Sequence, residues 1–301
     1  MSNALKRQLD WGSLVPLRLK AQTIADGIWA GSHRSPRKGS GIEFGGHRDY
    51  VPGDDLRWLD RHALMRHGKL MVRQFETETD RTLILLLDAS RSMAYSSKRA
   101  PAAKLAFAAL LAAALSKLAL AGGDPVGIDW LGGDENRPQK PSAGRETFDR
   151  IVDLLESAAP GQSPDDASLG RALARVARSA RRGSVIVLLS DLLDLPETAA
   201  EAFSALAAHD RTLLAVRVLD PVEAEFPFDE PVRLRAAEGN AVVETDGQSA
   251  RQGYLEALEA LAQRWHEQLV PRGGRLVRAI TTDDPIAVVR QILLALESRS
   301  T

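Results

Sequence analysis

The chain of 301 residues has no cysteine, which excludes disulfides, thiolate nucleophiles and zinc–cysteine sites and fits a reducing compartment. It also has almost no excess charge. Thirty-nine Lys and Arg stand against forty Asp and Glu, a formal net charge of −1, so nothing in the overall electrostatics draws the chain to nucleic acid or an anionic membrane. Long hydrophobic runs are missing as well. The N-terminal stretch Met1 to Leu19 is interrupted by Lys6, Arg7, Asp10 and Arg18 and lacks the apolar core of a secretory signal, so a cytoplasmic location is expected. The most apolar long stretch, Leu105 to Ala121, is broken by Ser116 and Lys117 and rich in alanine. It reads as a buried helix rather than a membrane span. There is no G-x-x-x-x-G-K-[ST] loop for a nucleoside triphosphate and no G-x-S-x-G elbow for a serine hydrolase.

With 44% apolar residues, the chain can bury a substantial core. Leu14, Leu17, Ala21, Ile24 and Ile28 recur at helical spacing and predict a first helix ending near Gly31. Residues 31–55 lose all periodicity and are rich in Gly, Pro, Arg and His, so they read as loop or short edge strand, anchored by Ile42, Phe44, Tyr50 and Val51. A short helix over 54–66 and a strand over 70–75 follow. His33, His47, His62 and His67 cluster in this part without the spacing of a zinc site.

From Thr82 onward strands and helices alternate. Strands are expected at 82–87, 126–131, 184–189, 212–219 and 275–280, with helices at 102–121, around 148–155 and 169–180, and at 196–208, 254–269 and 285–296. Alternation of this kind predicts an α/β fold with a doubly wound, mainly parallel sheet. Residues 222–247 depart from it, with Val232, Leu234 and Ala236 alternating with Arg233 and Arg235, and read as an inserted β-hairpin. The expected organisation is a loop-rich N-terminal segment, 1–79, packed on a sheet domain, 80–301.

Two of the predicted strands are continuous apolar runs, as expected of central strands covered on both faces. Both stop at oxygen-bearing residues: Asp88, Ser90 and Ser92 after the first, Ser190 and Asp191 after the second. Ligands of open α/β sheets sit beyond the carboxyl ends of the strands. If the two strands are neighbours, their carboxylates and hydroxyls face one crevice and suit a hard cation such as magnesium. The alternative is that these side chains only cap turns and helices.

The run D-A-S-R-S-M resembles the Asp-x-Ser-x-Ser motif of von Willebrand factor A domains, whose adhesion site holds magnesium and lets a partner's carboxylate complete the coordination. The segments G-S-H-R-S-P-R-K-G-S-G-I-E-F, R-D-Y-V-P-G-D-D-L-R-W-L-D, K-L-M-V-R-Q-F-E and D-P-V-E-A-E-F resemble successive signatures of the bacterial family called domain of unknown function fifty-eight. That resemblance implies a von Willebrand A-like sheet, a non-enzymatic adaptor role beside a MoxR-type AAA+ ATPase, and a site in which Asp88, Ser90, Ser92 and Asp191 are Mg2+ ligands. The second loop departs from the pattern, since Ala167 stands where a threonine is expected. Ser168, Asp165 or Asp166 replaces that hydroxyl, or Ser168 caps the following helix. The alternative function is a magnesium-dependent phosphotransferase or phosphatase using Asp88.

Overall fold

In the computed structural model, which describes residues 17–31, 43–49, 60, 65, 70–76, 81–133, 135–235 and 242–297, the two apolar runs lie side by side. Strand β3 (Leu83–Asp88) pairs in parallel with β6 (Val185–Ser190), Leu85 opposite Val187 and Leu87 opposite Leu189. β4 (Val126–Leu131) flanks β3 on its other side. β7 (Thr212–Leu219) and β10 (Arg275–Ile280) extend the sheet beyond β6, and β5 (Gln139–Ser142) closes the opposite edge. The six-stranded order is β10-β7-β6-β3-β4-β5, parallel throughout except for β5.

Alternate residues of the central strands feed two separate apolar layers, as the period of two in a strand requires. Leu83, Leu85 and Leu87 face the layer formed by α1 (Leu17–Gly31), α2 (Lys104–Ala121), α3 (Arg145–Ser157) and α8 (Pro285–Glu297). Ile84 and Leu86 face α4 (Asp166–Ser179), α5 (Ala199–Ser204) and α7 (Gly247–Leu269). Leu85, Leu86 and Leu87 are fully buried, and each such side chain contributes roughly 1.5–3 kcal/mol relative to an exposed one. α2 is apolar on every side because the sheet lies beneath it and α1 packs against it. By length and composition it could cross a membrane, with a mean hydropathy of 1.7, yet 67% of it is buried inside the fold.

Several elements differ from the sequence expectation. The helix expected over 196–208 is the single α-turn α5 followed by a 3-10 turn at Ala205–Ala207, and His209 and Asp210 then take positive φ, which ends it. Residues 222–247 begin not with a strand but with the short helix α6 (Pro221–Glu225). The hairpin proper is β8 (Pro231–Arg235) against β9 (Val242–Asp246). α7 starts at Gly247, seven residues earlier than its apolar periodicity indicates, because Asp246 caps it by accepting from the Ser249 amide. β5 had no sequence signal.

The chain forms two compact units, residues 33–80 in one and 1–32 with 81–301 in the other, so α1 belongs with the sheet and not with the segment that follows it. In the smaller unit, β1 (Glu43–Asp49) pairs antiparallel with β2 (Met71–Glu76), with a register shift between Phe44 and Gly46. The Asp60 amide donates to the Met71 carbonyl. The expected helix over 54–66 falls, apart from Asp60 and Met65, outside the described residues.

Candidate functional site

Parallel pairing of β3 with β6 and of β6 with β7 brings three strand ends together. Asp88 closes β3, Ser190 closes β6 with Asp191 just beyond it, and Asp220 follows β7. All four side chains are fully buried. The Asp88 carboxylate accepts from the Ser90 amide at 2.9 Å through Oδ1 and from the Ser190 hydroxyl at 2.5 Å through Oδ2. Ser90 and Ser92 hydroxyls lie 3.0 Å apart, and Ser92 sits on the 3-10 turn Arg91–Ala94. The structure therefore brings Asp88, Ser90, Ser92 and Asp191 to one end of the sheet.

Glycines hold the first of these loops in place. Gly161 donates to the Ala89 carbonyl at 2.8 Å. Gly133 packs so closely that a Cβ on it would lie 2.7 Å from the Ala159 carbonyl oxygen and 3.0 Å from the Ala89 methyl. Gly133 also has φ of +59°, a backbone state that costs other residues about 1 kcal/mol or more.

Ser168 has a different environment. Its amide and hydroxyl both donate to Asp165 Oδ1, at 2.7 and 2.6 Å; Asp165 is exposed and Ser168 half-buried. Asp165 is the N-cap of α4, and these bonds hold its carboxylate below the usual range. Among the described residues no hydrogen bond joins Ser168 to Asp88 or Asp191, and Ala167 brings no hydroxyl.

The residue that sequence reading missed is Lys104, the first residue of α2. It is fully buried, and its Nζ lies 2.7 Å from Asp191 Oδ2 and 2.6 Å from Glu223 Oε1. Burial alone would push this ammonium down, but the two carboxylates outweigh it and hold Lys104 above its ordinary value. Burial raises Glu223, partly offset by Lys104. Glu223 belongs to α6, whose N-cap Asp220 forms a reciprocal capping box with it. Asp220 Oδ1 accepts from the Val222 amide and Oδ2 from the Ser97 amide, both at 2.8 Å. The remaining oxygen of Asp191 accepts from the Leu193 amide at 2.9 Å.

These residues do not fit a divalent ion as they stand. Every carboxylate oxygen of Asp88 and Asp191 already accepts a hydrogen bond, and an ammonium occupies the outer side of Asp191. Among the described residues, no group of three or more acidic or histidine side chains is arranged to hold a metal. Nor is Asp88 presented to a phosphoryl donor, since its carboxylate has no exposure and both oxygens are committed.

The family described as "Protein of unknown function DUF58" matches residues 46–264. An uncharacterized protein of Mycobacterium tuberculosis (strain ATCC 25618 / H37Rv) is 31% identical over 235 residues, 77% of this chain and 72% of that protein, and a Mycobacterium bovis protein matches to the same extent. Among solved structures, an aerotolerance-related membrane protein from Bacteroides fragilis is similar at 17% identity and TM-score 0.45, covering 71% of this chain and 98% of that one. The SpRpn10 VWA domain is similar at 8% identity and TM-score 0.41, covering 73% and 99%.

Proposed function

We propose that this chain, which belongs to the DUF58 family, works as a protein-interaction module that docks a partner on the rim of its strand-end cluster, with a MoxR-type AAA+ ATPase as that partner. The observation that supports docking is how the loop from Arg91 to Pro101 is held. Its underside is tied to buried groups: the Ser97 amide to Asp220 at 2.8 Å, and the Tyr95 carbonyl to the Lys104 amide at 3.3 Å. Arg99 pairs with Glu225 of α6 at 2.8 Å. Its outer side presents Tyr95, 41% exposed, together with exposed Arg91 and Lys98. A preorganised loop carrying an aromatic and cationic side chains loses little entropy on binding and suits an acidic segment of a partner.

The test is affinity capture from an extract of the native cells with the full chain as bait. An AAA+ ATPase of the MoxR type is the expected prey. The double variant Tyr95→Ala/Lys98→Glu should retain roughly tenfold less of it, by loss of an anchor, with an unchanged melting temperature. Recovery of no such ATPase, or undiminished recovery by the variant, overturns the reading.

A further inference from the structure

We propose that Lys104 is a built-in cation that takes the place of a divalent ion at the strand ends, with Glu223 seated on it as an acidic ligand supplied by the same chain. Lysine is an unfavourable choice for the first residue of a helix. The amides there already carry partial positive charge, and α2 has no side-chain cap, its N-cap being Ala103. Lys104 is nevertheless fully buried, which an ammonium tolerates only when paired and hydrogen-bonded. Its partners come from distant parts of the chain: Asp191, 87 residues away, and Glu223, 119 residues away.

The arrangement reproduces the logic of a metal centre with covalently tethered parts. Asp191 is the carboxylate from beneath, from the end of the central strand β6. Lys104 is the cation. Glu223 closes the cation from above, while its second oxygen accepts from the Asp220 amide at 3.0 Å, so α6 fixes its direction. With Lys104 engaged at 2.7 and 2.6 Å, the positive charge and the acidic ligand are both internal, and the cluster needs no ion from solution. Removing the ammonium leaves the buried carboxylate of Asp191 and the part-buried one of Glu223, at 16% exposure, facing the position it held, with the buried Asp88 carboxyl at the end of the neighbouring strand. Oxygen donors with uncompensated negative charge are what a hard divalent ion binds.

This inference goes beyond the docking reading and does not depend on a partner, so ATPase capture and the following experiment can fail separately. Full-length protein stripped with a chelator is melted with and without millimolar Mg2+ at matched ionic strength, and Mn2+ uptake is followed by electron paramagnetic resonance. The wild type is expected to show no shift beyond that of the matched salt and no stoichiometric Mn2+. Lys104→Ala is expected to melt on the order of 5–10 °C lower, to regain part of that loss with Mg2+, and to take up one Mn2+ that Asp191→Asn abolishes. Should Lys104→Ala not fold, the neutral combination Lys104→Met/Asp191→Asn/Glu223→Gln is expected to fold, because no unpaired charge remains. Asp88-dependent Mn2+ binding by the wild type, a Lys104→Ala protein as stable as the wild type or one that takes up no ion, or a neutral combination that does not fold would each overturn the proposal.

Discussion

The position of Asp88 in the sheet makes its carboxyl keep a proton to higher pH than a free one does. Burial, and then the neighbouring Asp191 charge, raise its carboxyl from 3.8 to about 7, against the opposing hydrogen bonds from Ser190 and Ser90. The folded protein thus holds this proton in a range where the unfolded chain has released it. The resulting stabilisation is complete below about pH 4 and is lost as pH rises toward and past 7. At about 1.4 kcal/mol per unit the effect is a few kcal/mol. Asp88→Asn keeps an oxygen for the Ser90 amide and removes the titration. It is expected to flatten the fall in melting temperature between pH 5 and 8, and to be at least as stable as the wild type at pH 8. Melts across that range check this, and an undiminished pH slope in the variant would contradict it. Lys104, held above its ordinary value, remains charged throughout that range.

Half of the strand-end cluster was legible at this scale. Asp88, Ser90, Ser92 and Asp191 stand out because each follows an abrupt end to an apolar run. Lys104, Asp220 and Glu223 do not. A lysine opening an alanine-rich helix looks like a solvated end, and D-P-V-E looks like local capping, which it also is. Their second role depends on partners about a hundred residues away, for which no local spacing exists.

Elements show the same division. β3 and β6 could be read directly, because strands covered on both faces are apolar at every position. β10, covered less completely, still kept enough alternation to be placed at its observed bounds of Arg275–Ile280. β5, with Lys140 and Pro141 in four residues, reads as loop and becomes a strand only because β4 offers an edge. α6 is five residues long, too short to show a period or to persist alone, and is held by its capping box and by Lys104. Asp220→Ala removes the cap and also strips the Ser97 amide of its acceptor. These losses together are worth about 2–4 kcal/mol. The variant is expected to melt several degrees lower, and its loop should be cut by trypsin after Lys98 or Arg99 much faster than in the wild type. Equal cleavage rates would show that Asp220 does not hold the loop.

For the molecule as a whole, the Lys104 cluster joins the start of α2, the end of β6 and the helix after β7, three segments that meet only when the sheet is complete. Nothing short of opening that assembly brings its ammonium to solvent. An amine-reactive acylating reagent should modify exposed Lys98 and Lys140 at ordinary rates and lag at Lys104 by at least about a thousandfold, the ratio set by the free energy of opening. Peptide mass spectrometry reads the two rates from one sample, and a Lys104 rate within tenfold of Lys98 would mean that the cluster opens locally. The same protection covers enzymatic acylation: Lys104 is a lysine that folding withdraws from lysine-modifying enzymes, and acylation of it records that a given molecule has at some time been open.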